Sequence, residues 1–268
     1  MLDLIKTAAA PLMGAAVLGV LAVGASAPAK AAPAKPTIVL VHGAFAESAS
    51  WDGVVSILTR DGYPVISAAN PLRSVEGDAA TIAALLKTIP GPVILVGHSY
   101  GGMVISAAAV GQPNVKGLVY VDGFQPEVGE SAFDLSGKFP GSTLGAALAP
   151  PVPLPGGGQD IYIQGARFHA QFAADLPADK AALMFAAQRP VTLAALQEAA
   201  KAPAWKTIPS WSIYGSLDLN IPPAALAFMA ERAGSRRTVV IPGASHVSMI
   251  SHPREVAALI EEAAKAAP

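Results

Sequence analysis

A serine flanked by glycines is the feature of this sequence best suited to covalent chemistry. Residues 97–101 read Gly-His-Ser-Tyr-Gly, between an apolar run typical of a buried strand and a helical pattern. In such a strand-turn-helix, the glycines let two backbone segments approach closely, and the serine adopts a strained conformation that exposes its hydroxyl above the sheet. The positive end of the following helix also faces this hydroxyl. The pattern therefore predicts that Ser99 is a nucleophile.

A serine hydroxyl is a weak nucleophile and needs a neighbouring general base. Of the five histidines, His246 ends a Pro-Gly-Ala-Ser-His segment that directly follows a predicted strand, Thr238–Ile241. That position lies at the carboxyl edge of a parallel sheet, where ligands bind in open α/β folds. It also suits the chain order serine, acid, histidine that accompanies this type of serine turn. We therefore predict that the base is His246, in preference to His42, His98, His169 and His252.

An acid should orient the imidazole and stabilise its charged form. Two aspartates follow predicted strands: Asp218 comes shortly after Ser210–Tyr214, and Asp122 comes directly after Val115–Val121. The chain order serine, acid, histidine favours Asp218. Asp122 stays open as the alternative acid, because the same sheet edge could present it from a neighbouring strand. Its other expected role is to cap the turn that follows it.

The negative charge that develops on a carbonyl oxygen during acyl transfer needs hydrogen-bond donors, each of which contributes about 3 kcal/mol. The backbone N–H of Tyr100, at the start of the helix after Ser99, is one candidate. The second should come from residues 42–45, His-Gly-Ala-Phe, which follow the first predicted strand. Gly43 permits a close backbone approach there, so we predict that the N–H of Ala44 is the second donor.

Strands and helices alternate along the part of the chain that must position these groups. Continuous apolar runs predict strands, and apolar residues at helical spacing predict helices between them. The predicted strands are Thr37–Val41, Val65–Ala68, Val93–Val96, Val115–Val121, Ser210–Tyr214 and Thr238–Ile241. The predicted helices are Trp51–Leu58, Asp78–Thr88, Met103–Val110, Pro222–Ala233 and Pro253–Ala264. This alternation predicts an α/β fold with a mostly parallel, doubly wound sheet of about six strands, covered on both faces.

One long segment, residues 123–206, breaks the alternation and predicts a helical cap inserted between two core strands. It contains a Pro- and Gly-rich stretch at 150–158 and helical patches at 181–188 and 192–200. A structureless loop of this length would be unusual in a compact domain, so part of it must be helical. The aromatic residues predicted to line a substrate pocket are Phe45 and Phe124, whereas Phe133, Phe139, Phe168 and Phe172 could be pocket walls or the core of the cap itself.

The N-terminal segment differs in composition from the rest of the chain. Lys6 precedes an apolar run over residues 8–23, and Ala-Ser-Ala at 25–27 has the small-x-small pattern of a cleavage site. The run is short for a membrane-spanning helix, which disfavours a retained anchor. We therefore predict a signal peptide over 1–27, a disordered linker over 28–36, and a domain over 37–268 that is exported, periplasmic or secreted, without a stable membrane span in the mature form.

Charge and cysteine content exclude several classes of function. The chain has 18 basic and 19 acidic residues, a net charge of −1, and no basic run. Nucleic acid is therefore not an expected partner, and neither is an anionic membrane surface. The sequence has no cysteine, which rules out disulfides, a cysteine nucleophile and thiolate metal sites.

Taken together, these motifs resemble the α/β-hydrolase superfamily over residues 37–265. The His-Gly-Ala-Phe loop at 42–45 is similar to that of the methylesterase and hydroxynitrile-lyase branch and its bacterial esterase relatives. The resemblance implies hydrolysis of a small-molecule carboxylic ester through an acyl-enzyme, with no cofactor and no metal. The lyases of that branch carry a lysine after the catalytic histidine and a hydroxyl residue in the oxyanion loop. This chain has Val247 and Ala44 at those places, which disfavours cyanide chemistry.

Other functions could use the same set of residues. A lipase, a lactone hydrolase or a hydrolase of C–C bonds shares this machinery, and a cofactor-free perhydrolase could do so as well. A non-catalytic ligand-binding protein on a hydrolase scaffold is the alternative outside the enzymes. Dehalogenases and epoxide hydrolases of the superfamily use an aspartate where this chain has Ser99, so the resemblance disfavours those activities.

Overall fold

The structure, a computed structural model, describes residues 35–266. The predicted signal peptide (1–27) and most of the predicted linker (28–36) therefore lie outside the described residues. The last two linker residues are described, and the Lys35 ammonium lies 4.3 Å from the centre of the Tyr63 ring. Within the described range, no helix is both long enough and apolar enough to cross a membrane.

The apolar, β-branched runs form a central parallel sheet. In the described part of the chain the strands are β1 (Thr37–Val41), β2 (Val65–Ala68), β3 (Val93–His98), β4 (Val115–Val121), β5 (Val152–Pro153), β6 (Gln159–Ile161), β7 (Val191–Thr192), β8 (Ser210–Gly215) and β9 (Thr238–Ile241). The central sheet of these residues has the order β2-β1-β3-β4-β8-β9, and every neighbouring pair is parallel. The prediction of a mostly parallel sheet of about six strands is confirmed.

Both faces of this sheet are covered. Every residue of β3 is buried, although consecutive side chains of a strand point to opposite faces. The register stacks apolar residues across the sheet, and Val96 of β3 lies between Leu40 of β1 and Val119 of β4. Burial on both faces explains why these strands appear in the sequence as continuous apolar runs without alternation.

Helices connect the strands and also make up much of the long insertion. In the described residues the helices of four residues or more are α1 (Asp52–Arg60), α2 (Val75–Lys87), α3 (Gly101–Ala108), α4 (Ala132–Gly137), α5 (Leu144–Ala147), α6 (Gly165–Phe172), α7 (Ala178–Ala187), α8 (Leu193–Gln197), α9 (Pro223–Arg232), α10 (Ser248–Ser251) and α11 (Pro253–Ala266), besides a 3₁₀ turn at Ser48–Trp51. The core helices α1, α2, α3, α9 and α11 each lie within about three residues of the predicted bounds. Helix α1 packs on α11, and α2 packs on α3.

The segment between β4 and β8 is the insertion that the sequence predicts over 123–206. It contains α4 to α8, but it is not helical throughout, because β5, β6 and β7 pair as a small antiparallel sheet. The Pro- and Gly-rich stretch at 150–158 makes the first turn of this sheet, where the N–H of Leu154 donates to the carbonyl oxygen of Gly158 over 3.1 Å. Pro153 lies in the edge strand β5, a position that tolerates the missing N–H of proline.

The chain changes direction across the sheet at β1. Strand β2 lies on one side of β1 and β3 lies on the other. In open α/β sheets such a switch of direction leaves a crevice outside the carboxyl ends of the two strands. Residues 42–45 follow β1 and residues 97–101 overlap the end of β3, so this crevice brings the two predicted glycine-containing loops together.

Candidate active site

Ser99 occupies a strained turn between β3 and α3. Its φ is +52°, in the left-handed region that residues other than glycine rarely adopt. The turn is tight, because a Cβ atom on Gly97 would lie 2.6 Å from the carbonyl oxygen of Gly101. The Ser99 N–H donates to the carbonyl oxygen of Val121 over 3.2 Å, which holds the turn against β4. The glycines of the motif are thus required by the close approach that presents the hydroxyl.

His246 meets Ser99 at the carboxyl edge of the sheet. The imidazole lies on the loop between β9 and α10, and its Nε2 is 2.8 Å from Ser99 Oγ. Its Nδ1 is 2.6 Å from Oδ2 of Asp218, on the loop after β8. A carboxylate only accepts, so the proton of the neutral imidazole lies on Nδ1 and Nε2 is free to accept the hydroxyl proton. The structure therefore joins the three side chains in one hydrogen-bonded chain, with Asp218 in the position that chain order favoured.

Asp218 is held in place by backbone donors. Its Oδ1 accepts from the N–H groups of Asn220 and Ile221 over 2.7 and 3.0 Å, which leaves Oδ2 for the imidazole. Burial lowers the pKa of His246, but the charge and hydrogen bond of Asp218, with the charge of Asp122, raise it, and the net pKa lies above its ordinary value of 6.5. The arrangement therefore strengthens His246 as a base.

Asp122 does not contact the imidazole. Its Oδ1 accepts from the N–H of Gly215 over 2.8 Å, and its Oδ2 accepts from the N–H and the hydroxyl of Ser248. Burial and the charge of Asp218 raise its pKa to about 7. The Asp122 side chain thus links the end of β8, where the loop of Asp218 begins, to the start of α10, where the loop of His246 ends. It does not cap the turn that follows Asp122.

Ala44 and Tyr100 line the same cavity as Ser99. Within the described part of the chain, neither backbone N–H donates to another group. The Tyr100 hydroxyl donates to the Asp78 carboxylate over 3.0 Å, which anchors the start of α3. The Ala44 loop lies so close to the serine that a Cβ on Gly43 would be 2.6 Å from the Cβ of Ser99. Two unpaired donors beside one hydroxyl could stabilise a developing oxyanion.

A cavity of about 290 Å³ opens onto Ser99 and His246. Phe45 and Phe124, the two predicted wall residues, both line it, and helices α4, α5 and α8 of the insertion supply most of the other walls. Among the described residues that line it, none is Lys, Arg, Asp or Glu. A concave, mainly apolar cavity with a few polar groups is typical of a site for a small molecule.

The other aromatic residues of the insertion have different positions. Phe133 lines the cavity and is 61% exposed. Phe139 packs against a phenylalanine of α9. Phe168 and Phe172 are buried together, and the Phe172 ring lies 5.3 Å from the imidazole of His246. The insertion thus contacts the imidazole of His246 as well as covering the cavity. No signal in the sequence predicted that contact.

His98 is not the predicted base, but it also supports the site. Its Nε2–H donates to the carbonyl oxygen of His246 over 2.9 Å, which holds the loop that carries the imidazole. Burial lowers the pKa of His98 well below its ordinary range, so the ring is neutral. The position of His98 beside Ser99 in the motif indicated that it lies near the site. Its hydrogen-bond partner, however, lies 148 residues away and could not be identified from the sequence.

Comparison with known families and sequences gives a consistent set of relatives. A family model described as the alpha/beta hydrolase family matches residues 38–259. The chain is 34% identical to a carbendazim hydrolyzing esterase of Nocardioides sp. (strain SG-4G), over 37% of this chain and 47% of that protein, so the match spans about half of the relative. It is 28% identical to a pimeloyl-(acyl-carrier protein) methyl ester esterase of Aeromonas hydrophila, over 84% of this chain and 94% of that protein.

Solved structures resemble this one over almost their whole length. The crystal structure of polyneuridine aldehyde esterase has a TM-score of 0.75 at 20% identity and covers 85% of this chain and 98% of its own. An extracellular alpha/beta-hydrolase from a Paenibacillus species has a TM-score of 0.68 at 24% identity, with the same coverage. At these identities the likeness shows the fold.

Proposed function

This chain belongs to the alpha/beta hydrolase family, and from that premise we propose that it is a serine hydrolase that cleaves small to medium-sized, uncharged carboxylic esters. The observation that carries the proposal is the continuous hydrogen-bonded chain from Asp218 through His246 to the hydroxyl of Ser99. This chain ends in a cavity whose described lining residues include no Lys, Arg, Asp or Glu.

The geometry supports acylation of Ser99 as the first half of the reaction. As Oγ attacks the carbonyl carbon of the ester, His246 Nε2 takes the hydroxyl proton and Asp218 stabilises the imidazolium. The carbonyl oxygen becomes an oxyanion, for which the N–H groups of Ala44 and Tyr100 are the proposed donors. Collapse of the tetrahedral intermediate breaks the ester C–O bond, and the alcohol leaves with the proton from Nε2. The product of this half is an acyl-enzyme.

Hydrolysis of the acyl-enzyme repeats the same steps with water. His246 takes a proton from the water as its oxygen attacks the acyl carbon, and the same donors hold the second oxyanion. The Ser99 oxygen then leaves and recovers its proton from the imidazole. The carboxylic acid is released, and Ser99 and His246 return to their starting protonation states.

The walls of the cavity support the class of substrate. Transferring a charged group into an apolar cavity without a partner is costly, so neutral esters are favoured over charged ones. A volume of about 290 Å³ lies at the small end of ligand sites, which favours short or medium chains. Two relatives carry esterase names, which agrees with an ester as the substrate.

A labelling and turnover experiment tests the proposal. We expect purified protein to hydrolyse p-nitrophenyl esters of short acids and a fluorophosphonate to add to Ser99, as mapped by mass spectrometry. Ser99→Ala should lose about 10⁶-fold in kcat and all labelling. Ser56→Ala, on the exposed side of α1, is the matched control and should keep both. Wild-type protein that binds ligands without turnover or labelling would instead indicate a non-catalytic binder.

A panel of esters tests the substrate class. Neutral esters with two to eight acyl carbons should be better substrates than matched esters that carry a carboxylate or an ammonium group. Highest kcat/KM for long chains would point to a lipase, and preference for cyclic esters would point to a lactone hydrolase. The predicted export of the chain stays a separate prediction, which the N-terminus of the mature protein would test.

A further inference from the structure

His42 is a buried titratable group beside the site that takes no part in the steps of the proposed reaction. This residue follows β1 and is fully buried, and among the described residues none of the hydrogen bonds of its ring is to Ser99, His246 or Asp218. Its Nδ1 lies 2.9 Å from the carbonyl oxygen of Gly43, and its Nε2 lies 3.1 Å from the backbone nitrogen of Asn70. Both ring nitrogens therefore have backbone partners.

These two partners define a single protonation state for His42. The N–H of Asn70 can only donate, so Nε2 must accept and carries no proton. The carbonyl oxygen of Gly43 can only accept, so Nδ1 must donate and carries the proton. Burial is the largest effect on the ring and lowers the pKa of His42 to about 4, so the ring is neutral at ordinary pH. A protonated ring would direct an Nε2–H against the N–H of Asn70.

The Gly43 carbonyl belongs to the peptide group that also holds the N–H of Ala44. A trans peptide is planar, and its C=O and N–H point in opposite directions. Fixing the oxygen toward the imidazole of His42 therefore fixes the Ala44 N–H away from that imidazole, and Ala44 itself lines the cavity beside Ser99. Rotation of this peptide would remove the donor from the cavity.

The neighbouring peptides of the loop are held as well. The side-chain amide of Asn70 donates to the carbonyl oxygen of His42 over 2.9 Å, and the N–H of Phe45 donates to the carbonyl oxygen of Arg189 over 3.0 Å. Of the three peptide groups that join residues 42–45, the one between Gly43 and Ala44 is held by a titratable side chain. Its orientation therefore depends on the protonation of one imidazole.

We propose that His42 is a positioning residue: its Nδ1–H, with the tautomer set by the backbone of Asn70, orients the Gly43–Ala44 peptide so that the Ala44 N–H serves as an oxyanion donor. The inference rests on the proposed function, since it assigns a role within that reaction. It predicts a defect in transition-state stabilisation, with little effect on ground-state binding, when the ring can no longer donate from Nδ1.

A pair of substitutions tests the role through kinetics. His42→Asn places an amide N–H near the position of Nδ1, whereas His42→Gln extends the amide beyond it. Loss of one oxyanion donor costs about 10²-fold to 10³-fold in kcat. We expect His42→Gln to lose about 10²-fold in kcat with KM changed by less than about twofold, and His42→Asn to recover to within about tenfold of wild type.

The control for this pair is His169→Gln, which alters a histidine of α6 outside the cavity lining and should leave kcat unchanged. Melting temperatures are measured for all variants. Wild-type kcat in His42→Gln would overturn the proposal. The proposal would also be overturned if both His42 variants lost kcat in proportion to their fall in melting temperature and His42→Asn did not restore it.

A second measurement needs neither a folded variant nor turnover. In ¹⁵N-labelled wild-type protein, two-bond ¹H–¹⁵N correlations should show His42 protonated at Nδ1 and His98 protonated at Nε2, because His98 donates from Nε2. An Nε2-protonated or charged His42 at neutral pH would overturn the inference. Absence of labelling at Ser99 would instead refute the proposed function, so the two failures have different signatures.

Discussion

The loops at the carboxyl edge of the sheet and the insertion above them contribute different things to the same cavity. The loops hold the polar groups that could react, and hydrogen bonds fix these groups: two backbone N–H groups hold Asp218, and His98 holds the loop of His246. The insertion contributes mainly apolar walls, among them Leu144 and the largely exposed Phe133. For the proposed hydrolase, this difference predicts that reactivity depends mainly on the loops and substrate preference mainly on the insertion.

The separation is not complete, because the insertion also touches the loops. The Phe172 ring packs on the imidazole of His246, and the carbonyl oxygen of Arg189 accepts from the N–H of Phe45. These contacts hold the loops in place without adding a reacting group. Substitutions in the loops should therefore change kcat strongly, whereas substitutions in the cavity-facing part of the insertion should mainly change KM and chain-length preference.

The largest effect within this comparison is expected for Asp218→Asn. The amide can donate to the imidazole and so favours the wrong tautomer of His246, in which Nε2 carries the proton and cannot accept from Ser99. We expect kcat to fall about 10⁴-fold with the fold intact, as for other serine triads. Steady-state kinetics and circular dichroism check this. A larger loss in Asp122→Asn than in Asp218→Asn would reverse the assignment of the acid.

A smaller effect is expected for Asp122→Asn, which alters a group that supports the loops and does not touch the imidazole. The amide keeps one oxygen for Gly215 or Ser248 but presents N–H to the other donor. Leaving a buried donor unpaired costs about 1–3 kcal/mol of stability. We expect that loss in denaturant unfolding and about a tenfold fall in kcat, equivalent to about 1.4 kcal/mol. Unchanged stability would show that the bridge between β8 and α10 is dispensable.

The pH profile should show the influence of the loop carboxylates on His246. The imidazole must be neutral to act as a base, and its pKa is raised above 6.5, so kcat/KM should fall as pH decreases through a value above 6.5. Asp122→Asn removes one of the charges that raise this pKa, so the acid limb should move to lower pH. A limb that moves to higher pH would contradict the electrostatic role of Asp122.

The same comparison explains how much could be predicted from the sequence. Ser99, Asp218 and His246 each follow a core strand within about five residues, so local patterns and the rule that ligands bind at the carboxyl edge were enough to group them. The central sheet was predictable for the same reason, because burial on both faces leaves continuous apolar runs. Residues close to strand ends are positioned by the strands.

Contacts made by the insertion could not be predicted in this way. Helix α2 begins at Val75, three residues before its predicted start. Ser74 caps it locally by accepting from the N–H of Gly77 over 3.0 Å, and the Glu198 carboxylate also accepts from the N–H groups of Val75 and Glu76. The partners are more than 120 residues apart, and no local pattern reports such a cap. The pairing of β6 with β7 and the packing of Phe172 on His246 are also long-range contacts. The positions of the elements in an irregular insertion depend on the parts of the fold that the insertion covers.

The smallest effect is expected for Phe133→Ala, in the insertion. The ring lines the cavity but is 61% exposed, so its truncation should cost little stability and leave kcat on short esters within about twofold. Longer acyl chains lose an apolar wall, and their KM should rise about threefold to tenfold, the latter equivalent to about 1.4 kcal/mol. Phe139→Ala is the matched control, because that ring packs against α9 and does not line the cavity.

If both substitutions changed chain-length preference equally, the effect would come from general loosening of the insertion. A fall in kcat as large as that of Asp122→Asn would show that the insertion takes part in reactivity, and the division between loops and insertion would fail.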